Sequence, residues 1–376
     1  MKITFDKLVE LLREESSQYI TKENHKIKPT KRFIELENFV CQECSLEQIY
    51  EIAKLGLKST NIEKLGKAVI RSQNLYWNCK FAKEISGANV REHGKVIIAS
   101  KNLKLNCWFA RYVKGADVRK HGKVIIASKN LKWNYLFPRD VDGSDVMEHA
   151  KVIINSKDLK INYLFARNIE GADVRAHGQV IIDSKDLEWN YKFARDVKGA
   201  DVRAHGQVII DSKDLELNCS FYEYVRGADV RAHGQVIIDS QDPEWNLEFA
   251  QFKGSDVKAH GEVVFNSNDP ELNLKFAEEV CGADIEKHAQ VVVKSKDPRL
   301  NFRFAAFVNG ADIKPHEQVI IESKNKKIID EFFSWVEGSQ VEKNDQMIIG
   351  NKNTKLNYEL VKEEEKEVCI DLLFIW

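Results

Sequence analysis

The sequence predicts an all-α solenoid: a superhelical stack of about eleven 28-residue helical hairpins with N- and C-terminal caps. Three observations carry this. A Gly-Ala-Asp-Val motif, with close variants, recurs every 28 residues, a period that signals an array of supersecondary units. Each period holds two runs of apolar residues at helical spacing, bracketed by helix start and stop residues. Finally, VRAHGQVIIDSKD occupies Val174 to Asp186 and again Val202 to Asp214, and from Val230 it recurs with one Lys→Gln change.

Taken in order, residues 1–45 read as an N-terminal helical cap, with a helix across Phe5 to Glu14, the polar link NHKIKPTKR and a second helix from Phe33. Residues 46–352 are the array. Its units start at Leu46, Asn74, Asn102, Asn130, Asp158, Asp186, Asp214, Asp242, Asp269, Asp297 and Asn325. In the unit starting at Asp186, Trp189, Asn190, Phe193, Ala194 and Val197 share one helical face, and Asp186 is a suitable N-cap. Pro243, Pro270 and Pro298 stand at the first helical position of later units, where a missing N–H costs nothing. Gly199 and its equivalents are expected to supply the left-handed residue ending the first helix. Asp201 then caps a second helix whose Val202, His205, Gly206 and Ile209 face one way. A strand at the Val-Ile-Ile run is the weaker alternative, because the caps bracket that run at helical length. The unit starting at Asp242 lacks one residue in its turn, where a local bend is expected. Residues 353–376 end in EEEKEVCIDLLFIW, read as a C-terminal cap over the last unit or as a docking tail.

Two polar residues hold the register. His93, His121, His149, His177, His205, His233, His260, His288 and His316 occupy one position, which is Leu65 in the first unit and Asn344 in the last. Asn78, Asn106, Asn134, Asn162, Asn190, Asn218, Asn246, Asn273 and Asn301 occupy another, flanked by Tyr50 and Ile329. A leucine in the histidine register places that position toward the interior. Histidines one repeat apart cannot share a metal ion without intervening ligands, and no recurrent nucleophile or carboxylate shares their face. Both series therefore read as structural ladders. Each Asn is expected to bond turn backbone in its own or the adjacent unit, and each His to tie the second helices similarly. Trp77, Trp133, Trp189 and Trp245 recur every 56 residues, the mark of a duplicated two-unit block, and read as core packing with an exposed aromatic stripe as the alternative.

The totals exclude several classes. With 57 Lys+Arg against 58 Asp+Glu, no global field recruits nucleic acid or an anionic membrane. No apolar run approaches the ~20 residues of a membrane span, and the N-terminus has no secretory pattern, so a cytoplasmic protein is expected. Seven cysteines, spread widely, argue for reduced thiols. The lone Cys41-x-x-Cys44 reads as two helix-face residues, with zinc the weaker reading, and Cys79, Cys107 and Cys219 share a packing position. No metal, cofactor or catalytic residue is expected, and an enzyme ranks third among the functions considered.

Charge is nevertheless uneven. Asn74 to Lys157 holds 16 basic and 7 acidic residues, Asp158 to Ser240 holds 11 and 14, and Gln241 to Lys324 holds 10 and 15. On the second helices, away from the core face, stand Arg91, Lys95, Arg119, Lys120, Lys123 and Lys151, continued by Arg175, Arg203 and Arg231. Second helices commonly line the concave side of such stacks, so these nine are the expected partner-binding residues.

The stretch SKDLEWNYKFARDVKGADV, Ser184 to Val202, resembles the units of HEAT-like short α-hairpin arrays of bacterial and phage proteins, and the resemblance covers roughly residues 46–352. It implies an all-α solenoid without an established chemistry. Where those units usually have leucine, this chain has histidine. The expected function is a non-enzymatic scaffold, adaptor or inhibitor that binds a protein or protein complex along the solenoid; the alternative is nucleic-acid binding through the basic early repeats, 74–157.

Overall fold

A computed structural model describes residues 4–17, 29–58 and 60–336 of the chain. Among them every regular element is an α-helix, 23 in all. Helices α1 (Phe5–Ser17) and α2 (Lys31–Glu43) precede the array, and α3 (Leu46–Lys54) and α4 (Ile62–Arg71) form its first hairpin. The next nine hairpins have first helices α5 (Leu75–Glu84), α7 (Leu103–Tyr112), α9 (Leu131–Asp140), α11 (Leu159–Asn168), α13 (Leu187–Asp196), α15 (Leu215–Tyr224), α17 (Pro243–Ala250), α19 (Pro270–Glu279) and α21 (Pro298–Phe307). Their second helices are α6 (Val90–Ala99), α8 (Val118–Ser128), α10 (Val146–Ser156), α12 (Val174–Ser184), α14 (Val202–Ser212), α16 (Val230–Ser240), α18 (Val257–Asn266), α20 (Ile285–Ser295) and α22 (Ile313–Glu322). Helix α23 (Lys326–Trp335) opens the eleventh unit. The helical-hairpin solenoid expected from the repeat is thus the observed fold. Gly338, Asn344, the C-terminal segment 353–376, Cys369 and His25 lie outside the described residues.

The contacts divide the chain into two bodies. One runs to Ser212 and takes Tyr224–Ala228; the other takes Lys213–Glu223 and continues from Asp229. In both, first helices such as α11 and α19 lie against their own second helices, α12 and α20, and against a neighbouring first helix, α13 and α21. The reason is local: a ten-residue helix buries too little alone, and each unit completes the apolar face of the next. The phenylalanine at the centre of every first helix from Phe81 to Phe304 is fully buried. At the N-terminal end α1 and α2 add Leu8, Leu12, Phe33 and Val40 to the core of the first hairpin.

The helix ends follow from capping. Asp186 Oδ1 accepts from Trp189 N at 3.0 Å, Asp201 Oδ1 from Ala204 N at 3.0 Å, and the three prolines sit in the first turns of α17, α19 and α21. In the first hairpin the cap is Ser45, one residue ahead of the register, in a capping box with Gln48. The expected glycine ending is corrected. Helix α13 ends on Val197 in extended conformation (φ −98°), and Gly199 takes its positive φ of 86° two residues later, inside the turn. The left-handed helix ends belong instead to second helices and carry side chains: Lys129, Lys157, Lys185, Gln241 and Lys296 have φ of 55–57°. The one-residue deletion is absorbed by α17, whose helix stops at Ala250, where the Ser255 hydroxyl donates to the Ala250 carbonyl at 2.9 Å.

Candidate interaction surface

The two ladders prove to be one. In all nine units His Nδ1 lies 2.6–2.8 Å from Oδ1 of the Asn on the first helix of the same hairpin, including the shortened unit, where His260 meets Asn246 at 2.7 Å. The Asn amide nitrogen is also fully used. Asn190 Nδ2 donates to the carbonyl of Asp186, at 2.7 Å, and to that of Ile181 in the preceding unit, at 3.0 Å. Ile181 O, in the last turn of α12, further accepts from the Ser184 hydroxyl at 2.6 Å. One amide thus closes its own helix, the exposed carbonyl end of the previous hairpin and the imidazole across its own turn. The histidine consequently ties first helix to second within a unit; the tie between second helices expected from the register is not what forms.

These contacts fix the tautomer. An amide oxygen only accepts, so Nδ1 carries the proton and Nε2 is bare. All nine rings are at most 1% exposed, and each lies against its unit's phenylalanine with centroids 4.6–5.3 Å apart. At His93, His149, His177, His205, His260 and His316 the buried Nε2 has no hydrogen-bond partner. The small residue of the preceding second helix sits beside it: a Cβ at Gly178 would lie 3.3 Å from His205 Nε2 and 3.2 Å from Phe193 Cε1. Burial pushes every one of these imidazoles down to about 4. A sealed neutral ring with its proton committed to an amide has no means of reaching a substrate.

The residues turned outward are different in kind. All nine predicted partner-binding residues are exposed on second helices. Lys95 and Lys151 are engaged within their own helices with Glu92 and Glu148, and Lys120 with Asp117, the N-cap of α8. Arg91, Arg119, Lys123, Arg175, Arg203 and Arg231 take part in none of the ion pairs found among the described residues. Farther along, Gln179, Gln207 and Gln235 hydrogen-bond Asp183, Asp211 and Asp239 one turn on, at 2.7–2.8 Å.

The register of second helices does not reveal a second surface, on the first helices. Between α5 and α7 lies an open groove of about 550 Å³. Its floor is Leu75, Cys79 and Leu105, its walls carry Tyr76 and Trp108, and Lys80, Lys83 and Lys104 rim it. Lys80 Nζ sits 4.4 Å from the Tyr50 ring centre and 5.1 Å from that of Trp77, and Lys83 Nζ 5.2 Å from that of Trp108. At the starts of α7, α9 and α11, Lys101, Lys129, Lys132, Lys157 and Lys160 are, like Lys104, exposed and absent from the ion pairs found among the described residues. The signal was a Lys-Asn/Asp-Leu-Lys pattern in three consecutive units.

The first helices also bond from unit to unit. Tyr50 donates to Glu84, and Tyr163 Oη donates to Asp196 Oδ2 at 2.7 Å while accepting from Arg167 Nη1 at 2.7 Å. The tryptophans of the 56-residue period are half-buried; Trp77 and Trp189 pack on Tyr50 and Tyr163 with ring centroids 5.5 Å apart. They do not form an open stacking stripe. Cys79 and Cys219 are buried, their thiols pushed up by burial to about 11 and about 12. Among the described residues no helix is long and apolar enough to cross a membrane. No protein-family model, curated protein or solved structure matches the chain.

Proposed function

We propose that this chain is a non-enzymatic, HEAT-like binding scaffold that takes a protein partner along its exposed helix faces. The observation that supports this most is the closure of the Asn–His rungs. The groups that repeat with chemical potential are spent on holding hairpins together, while exposed charged side chains such as Arg91, Arg119 and Arg203 stand outside the ion pairs found among the described residues. Full-length chain immobilised at physiological salt is expected to retain a protein that survives nuclease treatment and elutes only weakly with added salt. A partner lost on nuclease treatment, with log K falling steeply against log salt, would overturn the protein reading. The second reading, nucleic acid on the early basic units, is favoured by the unpaired Arg91, Arg119 and Lys123, and that steep salt slope is its signature.

A further inference from the structure

The groove between α5 and α7 has a composition that selects its occupant. Its floor is apolar, with Cys79 buried and Leu75 and Leu105 half-buried, while Tyr76 is 61% exposed at the wall. Around it stand three amines, Lys80, Lys83 and Lys104, none joined to a carboxylate in the ion pairs found among the described residues. Five more lysines at the starts of α7, α9 and α11, Lys101, Lys129, Lys132, Lys157 and Lys160, extend the same positive field.

We propose that this groove docks a short acidic segment of a partner protein, seating one large apolar side chain on Leu75, Cys79 and Leu105 and flanking carboxylates on Lys80, Lys83 and Lys104. This rests on the protein-scaffold reading and narrows it to one place. A groove of about 550 Å³ has the size of a pocket that takes side chains, not a flat face. Two features argue for a peptide over a nucleic acid strand. The two rings that line the groove each hold one of the chain's own ammonium groups, Lys83 Nζ 5.2 Å from the Trp108 centre and Lys80 Nζ 5.8 Å from that of Tyr76, so stacking a base would strip those contacts. Glu84 also lines the groove, its carboxylate accepting from Tyr50 Oη; a strand carries a phosphate at every nucleotide, whereas a peptide can set its carboxylates on the lysines and turn an N–H to Glu84.

The test is an array of random ten-residue peptides, probed with the full chain and with Lys83→Glu/Lys104→Glu, and a parallel titration with a ten-nucleotide oligothymidylate. Both substituted lysines are exposed and outside the ion pairs found among the described residues, so an unchanged melting curve is expected to confirm that the variant folds; should it not fold, Tyr76→Glu replaces it. The wild type is expected to enrich peptides with Asp or Glu beside Leu, Ile, Phe or Trp, and the variant to bind them about ten-fold more weakly with a flatter salt dependence. An array without acidic preference, a preference that survives the charge reversal, or oligothymidylate binding that outcompetes the peptides and is lost in the variant would each overturn the assignment. If the variant still captures the nuclease-resistant partner as the wild type does, the groove is wrong and the scaffold reading stands.

Discussion

At the scale of single residues, Asn190 shows how one side chain decides a position. Replacing it by leucine removes the acceptor of the His205 Nδ1–H and one of the two side-chain donors to Ile181 O, at 0% exposure. A buried polar group left unpaired costs about 1–3 kcal/mol, so Asn190→Leu is expected to lower stability by that order. Adding His205→Leu removes the orphaned imidazole, and Leu65 fills the same register position with full burial in the first unit. The double variant should therefore lose less than the sum of the singles. Denaturant midpoints measure both, and an Asn190→Leu chain as stable as the wild type would contradict the account.

At the scale of the helix, the close approach of neighbouring second helices is set by small residues beside each imidazole. Gly178 and Gly234 hold the same register position but different space: an added Cβ lies 3.2 Å from the phenylalanine ring at the first and 2.8 Å at the second. The same position is Ala150 ahead of His177, so a methyl is accommodated there. Alanine gains up to about 1 kcal/mol of helix propensity over glycine, and overpacking costs about 1–3 kcal/mol. Gly178→Ala should then change stability little and Gly234→Ala should lower it; equal midpoints for the two would refute this reading of the approach.

Much of the element structure was legible because it is local. Caps at Asp186 and Asp201, prolines at first turns and the buried faces of Phe193 and Ile209 follow from residue type and spacing alone. Two things were not. The His205–Asn190 bond joins residues 15 apart across a turn, and which helices a histidine ties depends on how the hairpin closes. Contacts such as Tyr163 to Asp196, 33 residues apart, depend on the offset between stacked units, which periodicity does not encode. The groove between α5 and α7 belongs to the same class, since its walls come from two units.

At the scale of the whole chain, nine rungs act together on stability. Each imidazole is held neutral at about 4 when folded against about 6.5 when unfolded, so the unfolded chain binds more protons over that window. Stability is full above about pH 6.5 and is lost as pH falls toward 4, by about 3 kcal/mol per buried ring at the limit. Shared by nine rings, a shift of this size exceeds the stability of an ordinary domain well before pH 4 is reached. The most direct measurement is the imidazole nitrogen NMR spectrum of histidine-labelled full-length chain between pH 7 and 5, recorded alongside helix content. The account predicts nine rings locked as neutral Nδ1–H tautomers until helix content is lost in the same acid transition. His25, the tenth histidine, is not part of the ladder; any of the nine ladder rings titrating individually near pH 6.5 while the helices remain intact would contradict the account.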